Sequence, residues 1–187
     1  MKKLNLLVVA ILVSASTFAQ TWSIDKAHAK VAFTITHLAI SEVDGTFKTF
    51  DGTLTSSKED FSDAKFVFTA DIKGIDTNND MRNGHLQGEQ WFGAEKFPTL
   101  SYKSTSLTSV GPKKFKLNGD LTMKGVTKPV VLDLTLIGTT KGRDGKNIVG
   151  FKAAGSLDRT AFGVGGAGPM PVSNEVELRI SGEFKAQ

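Results

Sequence analysis

Cysteine is absent from the 187 residues. In an exported chain this excludes disulfides, thiol catalysis and a lipid-modified cysteine at a cleavage site, so stability has to come from packing and sheet hydrogen bonds. No apolar run reaches the roughly 20 residues that a membrane-spanning helix requires. The longest, residues 4–13, is about half that length, follows Lys2 and Lys3, and gives way to small and polar residues as far as Ala19. With Thr17-Phe18-Ala19 standing before Gln20, this pattern predicts a signal peptide cleaved near Ala19-Gln20. Residues 1–19 are expected to be removed, and residues 20–187 to form one domain in a periplasm or the medium, not an integral membrane protein. A surplus of one charge is missing too: 23 basic side chains face 19 acidic ones, and Lys2 and Lys3 belong to the leader. Neither nucleic acid nor an anionic membrane surface is therefore an expected partner.

What the chain has in quantity is alternation with a period of two, the mark of half-buried strands. Val31, Phe33 and Ile35 alternate with Lys30, Thr34 and Thr36, and Phe66, Phe68, Ala70 and Ile72 with Lys65, Thr69 and Asp71. Similar ladders run through Phe115 to Met123, Val130 to Leu136, Val149 to Leu157 and Val176 to Phe184. With residues 43–54 and 99–106 added, about eight strands result, the usual number for a small closed barrel. Gly111-Pro112, Gly125 and Arg143-Asp144-Gly145 supply short turns, hence antiparallel order. The expected fold is all-β: an eight-stranded antiparallel barrel with a short helical insert. That insert, residues 74–98, has no alternation, and Asn79 or Asp80 can cap a short helix through His85 or Leu86. Met81, Trp91, Phe92 and Phe97 give it an apolar side. Thirteen Phe against one Tyr and two Trp make a greasy lumen.

Motifs for chemistry fail on their context. Gly163, Gly165 and Gly168 match a dinucleotide-binding spacing, but Pro169 and Pro171 forbid the helix whose amides would meet a pyrophosphate. Asp76, Asn78 and Asp80 resemble the start of a calcium loop, yet Met81 stands at the glycine position and Gln87 at the bidentate glutamate. His28 and His37 are nine residues apart, which on one continuous strand places them on opposite faces. No metal, no cofactor and no catalytic residue is expected.

Several pieces in order resemble the YceI-like family of polyisoprenoid-binding, lipocalin-like proteins. Trp22-Ser23-Ile24-Asp25 with His28 opens the match, and Phe33, His37 and Gly45-Thr46-Phe47 continue it. Arg82-Asn83-Gly84-His85-Leu86 is similar to the family's R-D-x-H-L, with Asn83 for the acid, as Ala29 replaces an earlier serine. Trp91-Phe92, Lys96-Phe97-Pro98, Gly119-Asp120-Leu121-Thr122, Gly125-Val126-Thr127-Lys128, Arg159 and Phe162-Gly163 complete it. The resemblance implies an envelope carrier, in some cases a homodimer, that holds a long-chain isoprenoid, isoprenoid quinone or similar amphipathic lipid in its lumen.

The residues expected to bind lipid along the wall are Phe33, Ile35, His37, Phe47, Phe68 and Ile72, with Leu117, Leu121 and Phe162. From the insert come Met81, Arg82, His85, Leu86, Trp91 and Phe92. Asp25 and Arg159 are assigned to closing the seam or pinning a turn rather than to a head group. Two alternatives stand beside the carrier. One is an enzyme acting on a lipid head group through Arg82 and His85, which share a helix face at i, i+3; the other is a filled, ligand-free envelope barrel. The insert and residues 163–171 are expected near an opening of the lumen, as elements that move to admit the chain.

Overall fold

The computed structural model describes residues 19–166 and 171–187. The expected leader up to residue 18 and the centre of the glycine-rich loop, residues 167–170, lie outside them.

The alternating segments pair into one closed antiparallel barrel of eight strands. Three wall strands are broken in two. The first is β1 (Gln20–Ile24) with β2 (Lys30–His37), the second β3 (Ser41–Phe47) with β4 (Phe50–Ser56), and the third β5 (Lys65–Asp71) with β6 (Ile75–Asp76). The helix α1 (Asp80–Gln87) follows, then the unbroken strands β7 (Thr99–Gly111), β8 (Lys114–Met123), β9 (Val126–Lys141), β10 (Asn147–Asp158) and β11 (Val172–Ala186). Closure falls to β11, which pairs with β1 through Phe184↔Ile24 and with β2 through Leu178↔Phe33.

The breaks leave the inward pattern intact. Short 3-10 turns at Lys26–His28 and Ile72–Gly74 each lengthen one strand relative to its neighbour. Ser23 faces Thr53 and Ala32 faces Thr46, so β1–β2 gains an even number of residues and the same face stays inside. Residues 43–54 are therefore two strands rather than the single one expected. His28 and His37 are not on one continuous strand: His28 sits in the turn and His37 at the far end of β2.

Turn chemistry follows the sequence. Lys124 and Gly125, both at positive φ (51° and 75°), join Met123 to Val126 in the two-residue hairpin that matches strand twist. Inward positions are apolar and buried: Phe115, Leu117, Leu121 and Met123 on β8, and Val130, Leu132, Leu134 and Leu136 on β9. Outward positions are mixed, with Lys116, Asp120 and Asp133 beside the exposed Val131 and Ile137, unlike the continuous apolar band of a barrel that meets lipid on its outside. No helix among the described residues is long and apolar enough to cross a membrane.

The two ends of the barrel differ. At the end where β1 begins and β11 finishes, Phe61, Phe66, Phe151 and Phe184 pack edge to face with centroids 5.3–6.3 Å apart, and Trp22 closes on Phe61 at 5.4 Å. The opposite end carries residues 77–98 and 159–166.

Candidate functional site

Below these two segments the lumen is open. An upper chamber of about 300 Å3 is walled by Phe33, Ile35, Val43, Phe47, Val176 and Leu178, and roofed by Leu86, Trp91 and Phe92 from the insert. A lower chamber of about 140 Å3 lies among Phe68, Leu117, Leu121, Leu132 and Leu134. Phe47, Leu157 and Leu178 line both and form a neck. The ladder pairs Phe33↔Leu178, Ile35↔Val176 and Ile35↔Val43 stack three strands' inward residues side by side. These residues are only half-buried although they face inward, because their exposed surface looks onto empty lumen. The aromatic end is the tighter of the two: Phe66, Phe151 and Phe184 border only the smaller, lower chamber.

Close approaches shape the two chambers. The Phe33 ring lies over Gly45, where a Cβ would stand 2.2 Å from it, and tilts against Phe47 at 5.8 Å. Tyr102 crosses Gly119 in the same way, and its hydroxyl donates to the Leu117 carbonyl at 3.1 Å. Burial pushes that phenol's pKa up to about 12.

Polar side chains gather at the roof. Asn79 caps α1 by accepting from the Arg82 amide at 2.9 Å. The Arg82 guanidinium turns back to donate to the Thr77 hydroxyl and carbonyl at 2.9 and 2.7 Å. Asn83 Oδ1 accepts from the Thr77 amide and hydroxyl at 2.8 and 2.7 Å, while its Nδ2 donates to Asp76 at 3.2 Å. The Lys48 ammonium beside Asp76 holds that carboxyl at about 2. Asn83→Asp would exchange this donor for a second carboxylate. It is expected to destabilise the protein by about 1–3 kcal/mol at neutral pH. The loss should shrink as pH falls from neutral toward about 4, because like charge raises one pKa of the new pair and protonation relieves it. Urea unfolding at both pH values measures this.

Arg159, in the 3-10 turn after β10, is buried. It donates to the carbonyls of Val164 at 2.6 Å and Ser173 at 2.9 Å, and its guanidinium stacks 5.3 Å from the Trp91 ring. Gly165, at φ 75°, lets the loop pass over both groups: a Cβ there would meet Arg159 and Trp91 at 2.5 and 2.6 Å. Lys124 ties the same loop to the insert by donating to Gly163 and Gln90 carbonyls at 2.7 and 3.1 Å, and burial lowers its pKa.

Most of the expected wall residues converge here. Phe33, Ile35, His37, Arg82, His85, Leu86, Trp91 and Phe92 line the upper chamber; Phe68, Leu117 and Leu121 line the lower; Phe47 lines both. Three do not. Met81 is 75% exposed on the outer side of α1, since the inward side of the helix is taken by Arg82, His85 and Leu86. Ile72 is buried in the 3-10 turn that lengthens β5–β6, and Phe162 is buried in the 3-10 turn after β10; neither borders a chamber. Val43, Leu157, Val172 and Val176 were not singled out, although alternation had already turned Leu157 and Val176 inward. Only ladder register shows which inward residues meet open space.

Asp25 has the structural role expected of it. It caps the turn at Lys26–His28, bonds His28 Nδ1 at 2.9 Å and pairs with Lys185 of the closing strand at 2.7 Å. Lys185 and then His28 lower its pKa to about 2, and Asp25 in turn raises that of His28. Asp25→Asn keeps a capping acceptor and removes the charge. Its stability deficit is expected to be about 1 kcal/mol or less at pH 7, because both partners of the carboxylate, Lys185 and His28, are exposed. The deficit should vanish as pH falls from about 4 toward 2, because a depressed carboxyl contributes only while ionised. Histidine NMR titration should show the His28 pKa falling back toward its ordinary value.

A closed antiparallel barrel with an apolar lumen, tightly packed at one end and open beneath a helical insert at the other, defines the lipocalin-like class of barrels. Within it the chain belongs to the YceI-like family: the YceI-like domain matches residues 22–184. It is 38% identical to the UPF0312 protein plu2095 of Photorhabdus laumondii over 181 residues, 95% of this chain and 93% of that one. It is 38% identical to Protein YceI of Salmonella newport over 172 residues, 91% of this chain and 89% of that one. The Campylobacter jejuni YceI protein superposes with a TM-score of 0.71 at 29% identity, over 81% of this chain and 90% of that one. A polyisoprenoid binding domain from Saccharophagus degradans shares the fold, with a TM-score of 0.66 at 11% identity over 91% and 100% of the two chains.

Proposed function

We propose that this protein binds and carries an amphipathic lipid with a long apolar chain, an isoprenoid or isoprenoid quinone among them, in the bacterial periplasm. The observation that carries the reading is the open half of the lumen: inward aromatic and aliphatic side chains left half-exposed to a chamber of about 300 Å3. That volume is at the low end for small-molecule sites, about 300–1,000 Å3, and the lower chamber extends it past the neck. A greasy tail would gain about 0.8 kcal/mol per buried CH2, and the polar roof suits a head group. The leader-like N-terminus supports export, and the polyisoprenoid binding named for the Saccharophagus degradans domain supports the ligand class.

The insert and the loop after Arg159 contribute residues to one chamber, which supports their acting as its gate. Hydrogen exchange with and without lipid tests that role; protection confined to the strands would sink it. The enzyme alternative gains nothing from the geometry: Arg82 is bonded to Thr77, and His85 is exposed, with no side-chain hydrogen bond among the described residues. Mass spectrometry of an organic extract of the folded protein tests the carrier reading. Co-purified lipid, or uptake of added prenyl lipid, is the expected result, and neither appearing would overturn it.

A further inference from the structure

The polar lining of the upper chamber has one sign. Its groups are Thr77, His37, His85, Arg82 and Arg159; no aspartate or glutamate is among them. Neither arginine forms an ion pair among the described residues, and the remaining residues contain no acid at all.

Arg159 is the more telling of the two. It is 3% exposed, and its partners are neutral: the carbonyls of Val164, Ser173 and Val172, and the Trp91 ring. A cation withdrawn from water is ordinarily matched by an opposite charge. The adjacent acid is engaged elsewhere: Asp158 accepts from the Thr160 amide and hydroxyl at 2.8 and 2.6 Å. Asp76, beside the other arginine, is taken by Lys48, Asn78 and Asn83. Among the described residues both guanidiniums retain N–H donors without a partner. The fold brings them from separate elements, α1 and the turn after β10, to one chamber, although like charges repel.

Resting on the carrier reading above, we infer that the chamber selects an amphiphile with an anionic head group. A carboxylate or phosphate lies against Arg82 and Arg159, and its tail runs down the lumen. The acid supplies the charge that the roof lacks, in a geometry guanidinium favours.

The test is calorimetric titration of the lipid-stripped mature chain with tails matched in length: oleate against oleyl alcohol and oleamide, and geranylgeranyl phosphate against geranylgeraniol. At least a tenfold preference for an acid over its neutral partners is expected, weakening as salt is raised. Whichever acid shows it decides between carboxylate and phosphate. Arg82→Gln, on the insert and half-buried, should shrink the ratio; Arg159→Gln should do so where it folds, as circular dichroism would show. Acids and neutral partners binding within twofold of each other would overturn the inference and leave the carrier reading standing. No binding of any tail would overturn both.

Discussion

Leu178→Trp is expected to abolish tight binding of long-chain lipids while leaving short-chain amphiphiles bound. Leu178 stands at the neck with Phe47 and Leu157, and its neighbours across the ladder are Phe33 and Gly155. An indole there closes the passage between the chambers. A tail that now reaches the lower chamber would lose about five methylenes of burial, about 4 kcal/mol, which is about a thousandfold in affinity. Inserting bulk into a packed core costs about 1–3 kcal/mol. The open space on either side of this position should hold the penalty near the low end. Calorimetric titration with acids of increasing chain length checks the claim. Affinity should rise with length in the parent protein and level off early in the variant. An unchanged slope would show that tails do not pass the neck.

The second large effect is on stability, and it separates the two ends of the barrel. Phe151→Ala should cost about 3–5 kcal/mol, the range for truncating a packed phenylalanine. Phe151 is 5% exposed and meets three rings, Phe61, Phe66 and Phe184, at 5.7, 5.3 and 6.3 Å. Phe33→Ala removes the same atoms from a half-buried side chain on the larger, upper chamber, whereas Phe151 is buried and borders only the smaller, lower one. Fewer partners are lost and no new void has to be made, so its cost should be about half as large or less. Its effect should appear in lipid affinity instead. Urea unfolding of both variants gives the comparison. Equal losses would mean that the upper chamber is as well packed as the aromatic end.

The departures of Asn83 and Ala29 from the family pattern turn out to be local matters. Asn83 both accepts from Thr77 and donates to Asp76, which a carboxylate cannot do while ionised. Ala29 sits against Gly182, where even a Cβ would come within 3.1 Å of it.

The alternation of Phe115 to Met123 and of Val130 to Leu136 was enough by itself to set all-β structure, an inward face and short antiparallel links. A strand's side-chain period is independent of its partner, so this much is local. A helix cap at Asn79 or Asp80 and a turn at Gly125 were legible for the same reason, as conformational preferences of a few adjacent residues. Register was not. The sequence showed Val176 and Leu178 facing inward, but only their pairing with Ile35 and Phe33, far away along the chain, placed them beside open space. Nor did it separate Phe151, buried among three rings, from Phe33, half-exposed to the upper chamber: both are inward phenylalanines on alternating strands. Met81, Ile72 and Phe162 were drawn to the site as apolar residues of the right segments, but the rotation of α1 and the docking of two turns decided otherwise. The tertiary structure alone brought Arg159 and Arg82 to one roof. Which residues share a cavity depends on pairing between distant strands, and a one-dimensional pattern carries the face of each residue but not its neighbours.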